Sequence, residues 1–213
     1  MSETAREAIL TRIRTGLAQP APLPPRPDFT APVHPPLAGD DEVLAFAQSF
    51  QGAGGEFYYC ETRAQLAVQL ATFRERQQLG RPFVWEPAMQ EILRAAGVAF
   101  QADETEFLAH ADWGLTSCEA LVARTGSVLV SAASASGRRL SIYPDQHVVL
   151  ARPSQVVAEI GDALRVMQQR YGTALPSMVS LTTGPSRTAD IEKTLVLGAH
   201  GPRRISLFLL EDE

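Results

Sequence analysis

Lysine is nearly missing from this sequence: Lys193 is the only one, and every other cationic side chain of fixed charge is an arginine. A phosphate-cradling P-loop needs Gly-Lys-Ser/Thr, and no such triplet occurs. Schiff-base chemistry would have to rest on Lys193 alone. Cysteine is scarce too. Cys60 and Cys118 stand far apart without Cys-x-x-Cys spacing, which excludes a disulfide framework, a zinc ribbon and an iron–sulfur ligand set supplied by this chain. No two histidines have metal-ligand spacing, so no metal is expected. No apolar run approaches the ~20 residues that span a bilayer. The N-terminus, Met1-Ser2-Glu3-Thr4-Ala5-Arg6-Glu7, lacks the basic-then-apolar pattern of a secretory signal. A reducing, cytoplasmic setting is the expectation. With a net charge of −5 and scattered arginines there is no nucleic-acid footprint. Gly-x-Gly-x-x-Gly is absent, and with it the dinucleotide fingerprint.

What is present suffices for one sizeable core. The chain has 213 residues, 45% of them hydrophobic, enough for one α/β domain and an extension. Thr4-x-x-Glu7 is a capping box ahead of Ala8, Ile9, Ile13 and Leu17, so a short helix is expected over residues 4–17. Eight prolines between Pro20 and Pro36 favour an extended arm or linker, which could reach a neighbouring subunit; His34 reads as solvated within it. The expected division is therefore an N-terminal helix and proline-rich arm, 1–38, and an α/β domain, 39–213.

Within that domain the periodicities alternate. Val43, Leu44, Phe46, Ala47 and Phe50 are helical; Glu56–Cys60 reads as a strand. Thr62 caps a helix with Leu66, Leu70 and Phe73 inside, Pro82–Trp85 reads as a short strand, and Pro87 opens a helix that stops at Gly97. From Asp112 the pattern is a turn, a helical turn, a glycine break at Gly126 and the strand Val128–Val130. Ser154 is the expected cap of a helix carrying Val156, Val157, Ile160, Leu164 and Met167. Val148–Leu150, Leu195–Leu197 and Ile205–Leu210 supply further strands. Alternating strands and helices imply βαβ units and a mainly parallel sheet.

The chemistry-bearing stretch is Thr182-Thr183-Gly184-Pro185-Ser186-Arg187-Thr188-Ala189-Asp190-Ile191-Glu192, placed after Ser177–Leu181, which reads as a buried strand. It has two readings. One is a binding loop in which Thr183, Ser186 and Thr188 donate, Gly184 lets the backbone approach, and Arg187 grips a carboxylate or phosphate, with Asp190 orienting it. The other is a Gly-Pro turn that caps a helix through Ser186 or Thr188, Asp190 and Glu192 complementing its dipole on different faces. His200, in Gly198-Ala199-His200-Gly201-Pro202, reads either as an acid/base or as a turn-fixing side chain. His110 and His147 read as structural. Glu119 reads as a catalytic or supporting carboxylate, or as part of a solvated helix face. Ser131, Ser134, Ser136, Gly137, Arg138 and Arg139 form a small polar loop suited to facing a ligand.

These residues carry a resemblance. Thr183-Gly184-Pro185-Ser186-Arg187-Thr188-Ala189-Asp190-Ile191-Glu192 with Leu195–Pro202 resembles the C-terminal signature of the lactate utilization protein C family, and Gly114-Leu115-Thr116, Glu119-Ala120, Thr125-Gly126-Ser127 and Gly137-Arg138 match upstream. The resemblance covers residues 105–210. It implies a LUD domain, a three-layer α/β/α fold akin to the NagB, ribose-5-phosphate isomerase and CoA-transferase group, with Gly126 and Arg138 joining the ligand-facing set. It further implies a subunit, free of clusters itself, that works with two iron–sulfur proteins in oxidising L-lactate to pyruvate. Arg124 departs from the pattern, which has an acidic residue before the Thr-Gly pair. Fold analogy leaves an alternative: a stand-alone enzyme or sensor for a phosphorylated sugar or acyl-CoA-like ligand, for which Glu119 is the available glutamate.

Overall fold

The structure, a computed structural model, describes residues 4–18, 24–27, 34–37, 39, 41–105, 107, 112–191 and 194–211. It divides into two compact units, Met1–Pro36 and Leu37–Glu213. In the first, helix α1 (Ala5–Leu17) starts at the expected capping box, with Thr4 N–H on the Glu7 carboxylate at 3.0 Å. That bond and the Thr4 hydroxyl hold the Glu7 carboxyl below its ordinary pKa. Ile9, Ile13 and Leu17 are exposed, and α1 buries no residue.

The second unit runs α2 (Glu42–Gly52), β1 (Glu56–Cys60), α3 (Arg63–Arg76), α4 (Pro87–Ala95), β2 (Trp113–Thr116), β3 (Ala120–Val122), β4 (Ser127–Ser131), β5 (Gln146–Ala151), β6 (Val156–Val157), α5 (Ile160–Tyr171), β7 (Val179–Thr183), β8 (Arg187–Ile191), β9 (Thr194–Leu197) and β10 (Arg204–Leu210). The central sheet has the order β1-β10-β5-β2 and is parallel throughout. Phe83 adds parallel bridges to Gly114 and Gln101. Helices cover both faces, which is why β5 and β10 read as nearly unbroken apolar runs. Phe46 and Phe50 of α2 pack with Val149, Leu207 and Leu209 on one face; Leu66, Leu70, Phe73 and Leu93 of α3 and α4 pack with Trp113, Val148 and Phe208 on the other. The expected α/β architecture with a mainly parallel sheet is what folds.

A second sheet, β6-β3-β4-β7, lies against α2 through Leu121, Val128 and Val130, and α5 covers its other side with Ala163 and Met167. This sheet revises several expectations. The strand expected at Ser177–Leu181 is β7, shifted to Val179–Thr183; it is half exposed at the sheet's edge rather than buried. The helical turn expected after Asp112 is strand β3. Ser154 sits in a short 3-10 turn, Val156 and Val157 pair with Leu121 and Val122, and α5 begins only at Ile160 after Glu159. Two adjacent β-branched residues beside an open strand favour the ladder over the helix. Of the expected stripe, Met167 is buried while Ile160 and Leu164 lie in water. No helix follows Ser186: β8 and β9 form an antiparallel two-stranded sheet. The helix-capping reading of that stretch is thereby excluded. β10, expected as a closing strand, is central. Among the described residues no helix is long and apolar enough to cross a membrane.

Candidate functional site

A parallel sheet has two distinct edges, and the expected site residues are divided between them. At the edge where the strands begin, α2 ends and feeds β1, and the loop Gly198–Arg203 feeds β10. Here the two sequence motifs meet. Ser186 N–H donates to the Pro202 carbonyl at 2.9 Å, and Gly198 N–H donates to the Ser186 carbonyl at 3.0 Å. Thr125, Ser127 and Thr183 are joined by hydroxyl contacts of 2.6 Å each, with Ser127 fully buried. The upstream Thr125-Gly126-Ser127 motif is thus tied to the end of β7, next to Gly184.

The glycines of these motifs serve close packing against α2. Gly184 has φ of +70°, and a Cβ there would lie 2.2 Å from the Ala53 carbonyl oxygen. Gly126, at φ +61°, would meet the Phe50 nitrogen at 2.2 Å. Their freedom is spent on α2 of the same chain. Arg187 is exposed, and its guanidinium reaches the Ala53 carbonyl, the C-cap of α2, at 3.4 Å. A cation there complements the negative end of the helix. No carboxylate pairs with it among the described residues. Thr188 is half-buried in β8, and His200 is exposed, with no hydrogen-bond partner among the described residues. Asp190 belongs to β8, but its side chain lies outside what is described, as do Glu192, Lys193 and His110.

Glu119 is at the opposite edge, where the parallel strands end. It is buried, which removes the solvated-helix reading, and it accepts from the Ser131 hydroxyl at 2.6 Å, the Tyr171 hydroxyl at 2.8 Å and Arg170. Burial, then the neighbouring carboxylate, raises the Tyr171 pKa; for Arg170, burial opposes the charge but Glu119 outweighs it. Beside it stands Glu86, a residue the sequence reading passed over. Glu86 is buried and accepts from Ser117 N–H at 3.0 Å, the Ser117 hydroxyl at 2.5 Å and the Ser136 hydroxyl at 2.5 Å. A narrow cavity of about 10 Å³ lies beside Glu119, lined by Thr116, Ser117, Cys118, Ser134, Ser136 and Gly137 among others. The signal for Glu86 was its place directly after Phe83-Val84-Trp85, at the end of a strand-like run. Arg138 is exposed nearby and donates to the Ser177 hydroxyl at 2.8 Å. Arg124, the departure from the pattern, pairs with Glu159 at 2.6 Å, a bond that raises its pKa.

His147 is fully buried behind this cavity. Its Nε2 lies 2.9 Å from Thr116 Oγ1, which itself donates to the Ser117 carbonyl at 2.8 Å. The hydroxyl therefore accepts from Nε2–H, and Nδ1 is left as a bare lone pair without a partner among the described residues. Burial depresses its pKa to about 4, so the ring is neutral. Cys60 and Cys118 are both buried, and burial pushes the Cys60 thiol up to about 11 and the Cys118 thiol higher still. Two thiols buried in separate core clusters do not supply the ligand set of an iron–sulfur cluster, and no group of three metal-binding side chains occurs among the described residues.

Comparison with known proteins agrees with this fold and these motifs. The family model for the LUD domain matches residues 90–210. Lactate utilization protein C 1 of Bacillus mycoides is 31% identical over 122 residues, 56% of this chain and 52% of its own. The uncharacterized protein NMB1437 of Neisseria meningitidis is 28% identical over 223 residues, 97% of this chain and 94% of its own. The chain spans about half the length of the lactate utilization proteins it matches. The crystal structure of a DUF162 family protein from Deinococcus radiodurans superposes with a TM-score of 0.58 at 20% identity, over 79% of this chain and 96% of that one, a likeness of fold. More than half of the chain matches the family model, and the chain belongs to the LUD domain family.

Proposed function

We propose that this chain is a subunit of an iron–sulfur-dependent system that oxidises L-lactate to pyruvate, that it carries no cluster itself, and that it works in the cytoplasm. The observation that carries the reading is the LUD-domain match together with relatives named lactate utilization protein C. Its two cysteines, buried and far apart in the sequence, leave the electron-carrying clusters to two partner proteins.

The working face in this reading is the junction of the Gly184–Thr188 and Gly198–Pro202 loops. Arg187 supplies a planar guanidinium that can hold a small carboxylate or phosphate with two parallel bonds. Ser186, Thr188 and Thr183 add hydroxyl donors. His200, exposed on the adjoining loop, accepts the proton of a 2-hydroxy group, and the C2–H bond is given up as two electrons and a second proton to the partners. The surface formed by these loops also serves assembly with the partners.

Arg187→Ala and His200→Gln in the assembled system test this. The reading expects Arg187→Ala to lose lactate-dependent dye reduction with an unchanged melting temperature, and His200→Gln to alter the pH profile. Wild-type activity and profile in both variants would leave Arg187 as a cap on α2 and His200 as a turn residue.

A further inference from the structure

Three hydroxyls stand in a row where β4 begins and β7 ends. Ser127 and Thr183 are directly opposite each other in the antiparallel ladder, and their hydroxyl oxygens lie 2.6 Å apart. Ser127 touches the Thr125 hydroxyl at the same 2.6 Å. Ser127 is fully buried, Thr125 is half-buried and Thr183 is exposed. A buried link thus joins two hydroxyls, and its Thr183 end is open to solvent.

That open end lies by Arg187. The Ala53 carbonyl that receives the guanidinium at 3.4 Å is also the atom that a Cβ on Gly184 would strike. Arg187 and the residue after Thr183 therefore converge on one oxygen.

A hydroxyl has one proton to give and two lone pairs to receive with. Three hydroxyls joined by two contacts use two protons within the row and keep one over, at Thr125 or at Thr183. The Ser127 hydroxyl makes no other hydrogen bond among the described residues, so it points whichever way the row points. A carboxylate accepts and never donates. Seated at Thr183, it draws the spare proton to that end, and hydrogen bonds in such a row strengthen one another.

We propose that Ser127 is a positioning residue of the anion site: it sets the Thr183 hydroxyl to donate to one oxygen of the carboxylate that Arg187 grips, with Thr125 donating to Ser127 behind it. The assignment rests on the reading of Arg187 as the anchor of the ligand. It gives Ser127 of the upstream motif a part in the downstream site without any contact to the ligand.

Calorimetric titration of L-lactate into the full chain tests this in a double-mutant cycle of Ser127→Ala and Thr183→Val, with Arg187→Ala alongside. Arg187→Ala is expected to abolish binding. Ser127→Ala and Thr183→Val are each expected to weaken it about three- to tenfold, and Ser127→Ala to have no further effect in the Thr183→Val background. A fold that merely loosens without the buried hydroxyl weakens binding equally in both backgrounds, and that outcome overturns the proposal. So does wild-type affinity in Ser127→Ala when Arg187→Ala has lost binding, a result that leaves the reading of Arg187 standing. Wild-type affinity in Arg187→Ala, or no binding by the wild type, removes that reading and the proposal with it.

Discussion

At the scale of single residues, the family motifs of this chain do two kinds of work that mutation can separate. Gly126 and Gly184 are packing residues: each adopts a positive φ and each lies against the backbone of α2. Gly126→Ala is expected to destabilise by roughly 2–4 kcal/mol, because the strained φ and a clash with backbone atoms add. Gly137 shares the positive φ, at +58°, but has open space around it. Gly137→Ala is expected to cost only about 1 kcal/mol, the conformational part alone. Urea unfolding of both variants checks the comparison, and equal losses would contradict it. Arg187 differs from both. It is exposed and makes one long bond, so Arg187→Ala is expected to shift stability by less than about 0.5 kcal/mol. Any loss of function in that variant therefore reports on binding or assembly, not folding.

At the scale of elements, His147 links β5 to the end of β2 and makes the fold acid-sensitive. Its folded pKa, about 4, lies below the ordinary 6.5 because burial penalises the charged ring. The unfolded chain therefore takes up the proton first. The stabilisation is full above pH 6.5, falls as the pH drops toward 4, and amounts to about 3 kcal/mol lost at the limit. His147→Gln is expected to flatten the stability profile between pH 6.5 and 4 relative to wild type; parallel profiles would contradict this. The same elements show what the sequence could convey. Glu56–Cys60, the Thr62-capped helix and the Pro87 start are legible because strand alternation, a side-chain cap and N1 proline are local signals. The second sheet was not legible. Val156 and Val157 fit a helical stripe as well as a strand, and only the open side of β3 decides between them. Likewise Ser177–Leu181 is apolar enough to suggest burial, and nothing local marks its strand as an edge. Within the site, the sequence pointed to the loops that meet near Ser186, but not to their position where the parallel strands begin. Nor did it single out Glu86, whose serine partners come from residues 117 and 136.

At the scale of the molecule, the central sheet places two polar clusters at opposite edges. In open parallel sheets ligands gather where strands end, which is the side of Glu86 and Glu119. Both carboxylates there are already engaged by hydroxyls or arginine, and replacing one is expected to be structural in effect. Glu119→Ala, which strands the Tyr171 hydroxyl and the Ser131 hydroxyl, is expected to cost about 1–3 kcal/mol. The loops at the other edge keep Arg187 and His200 exposed, and these are the groups that the lactate reading employs. Purification of the tagged full chain from its native cells grown on lactate tests that reading most directly, with the visible spectrum and lactate-dependent dye reduction of the eluate recorded. The account expects a brown eluate holding iron–sulfur partners and activity, both reduced in Arg187→Ala. A colourless, solitary chain without lactate-dependent reduction would contradict it.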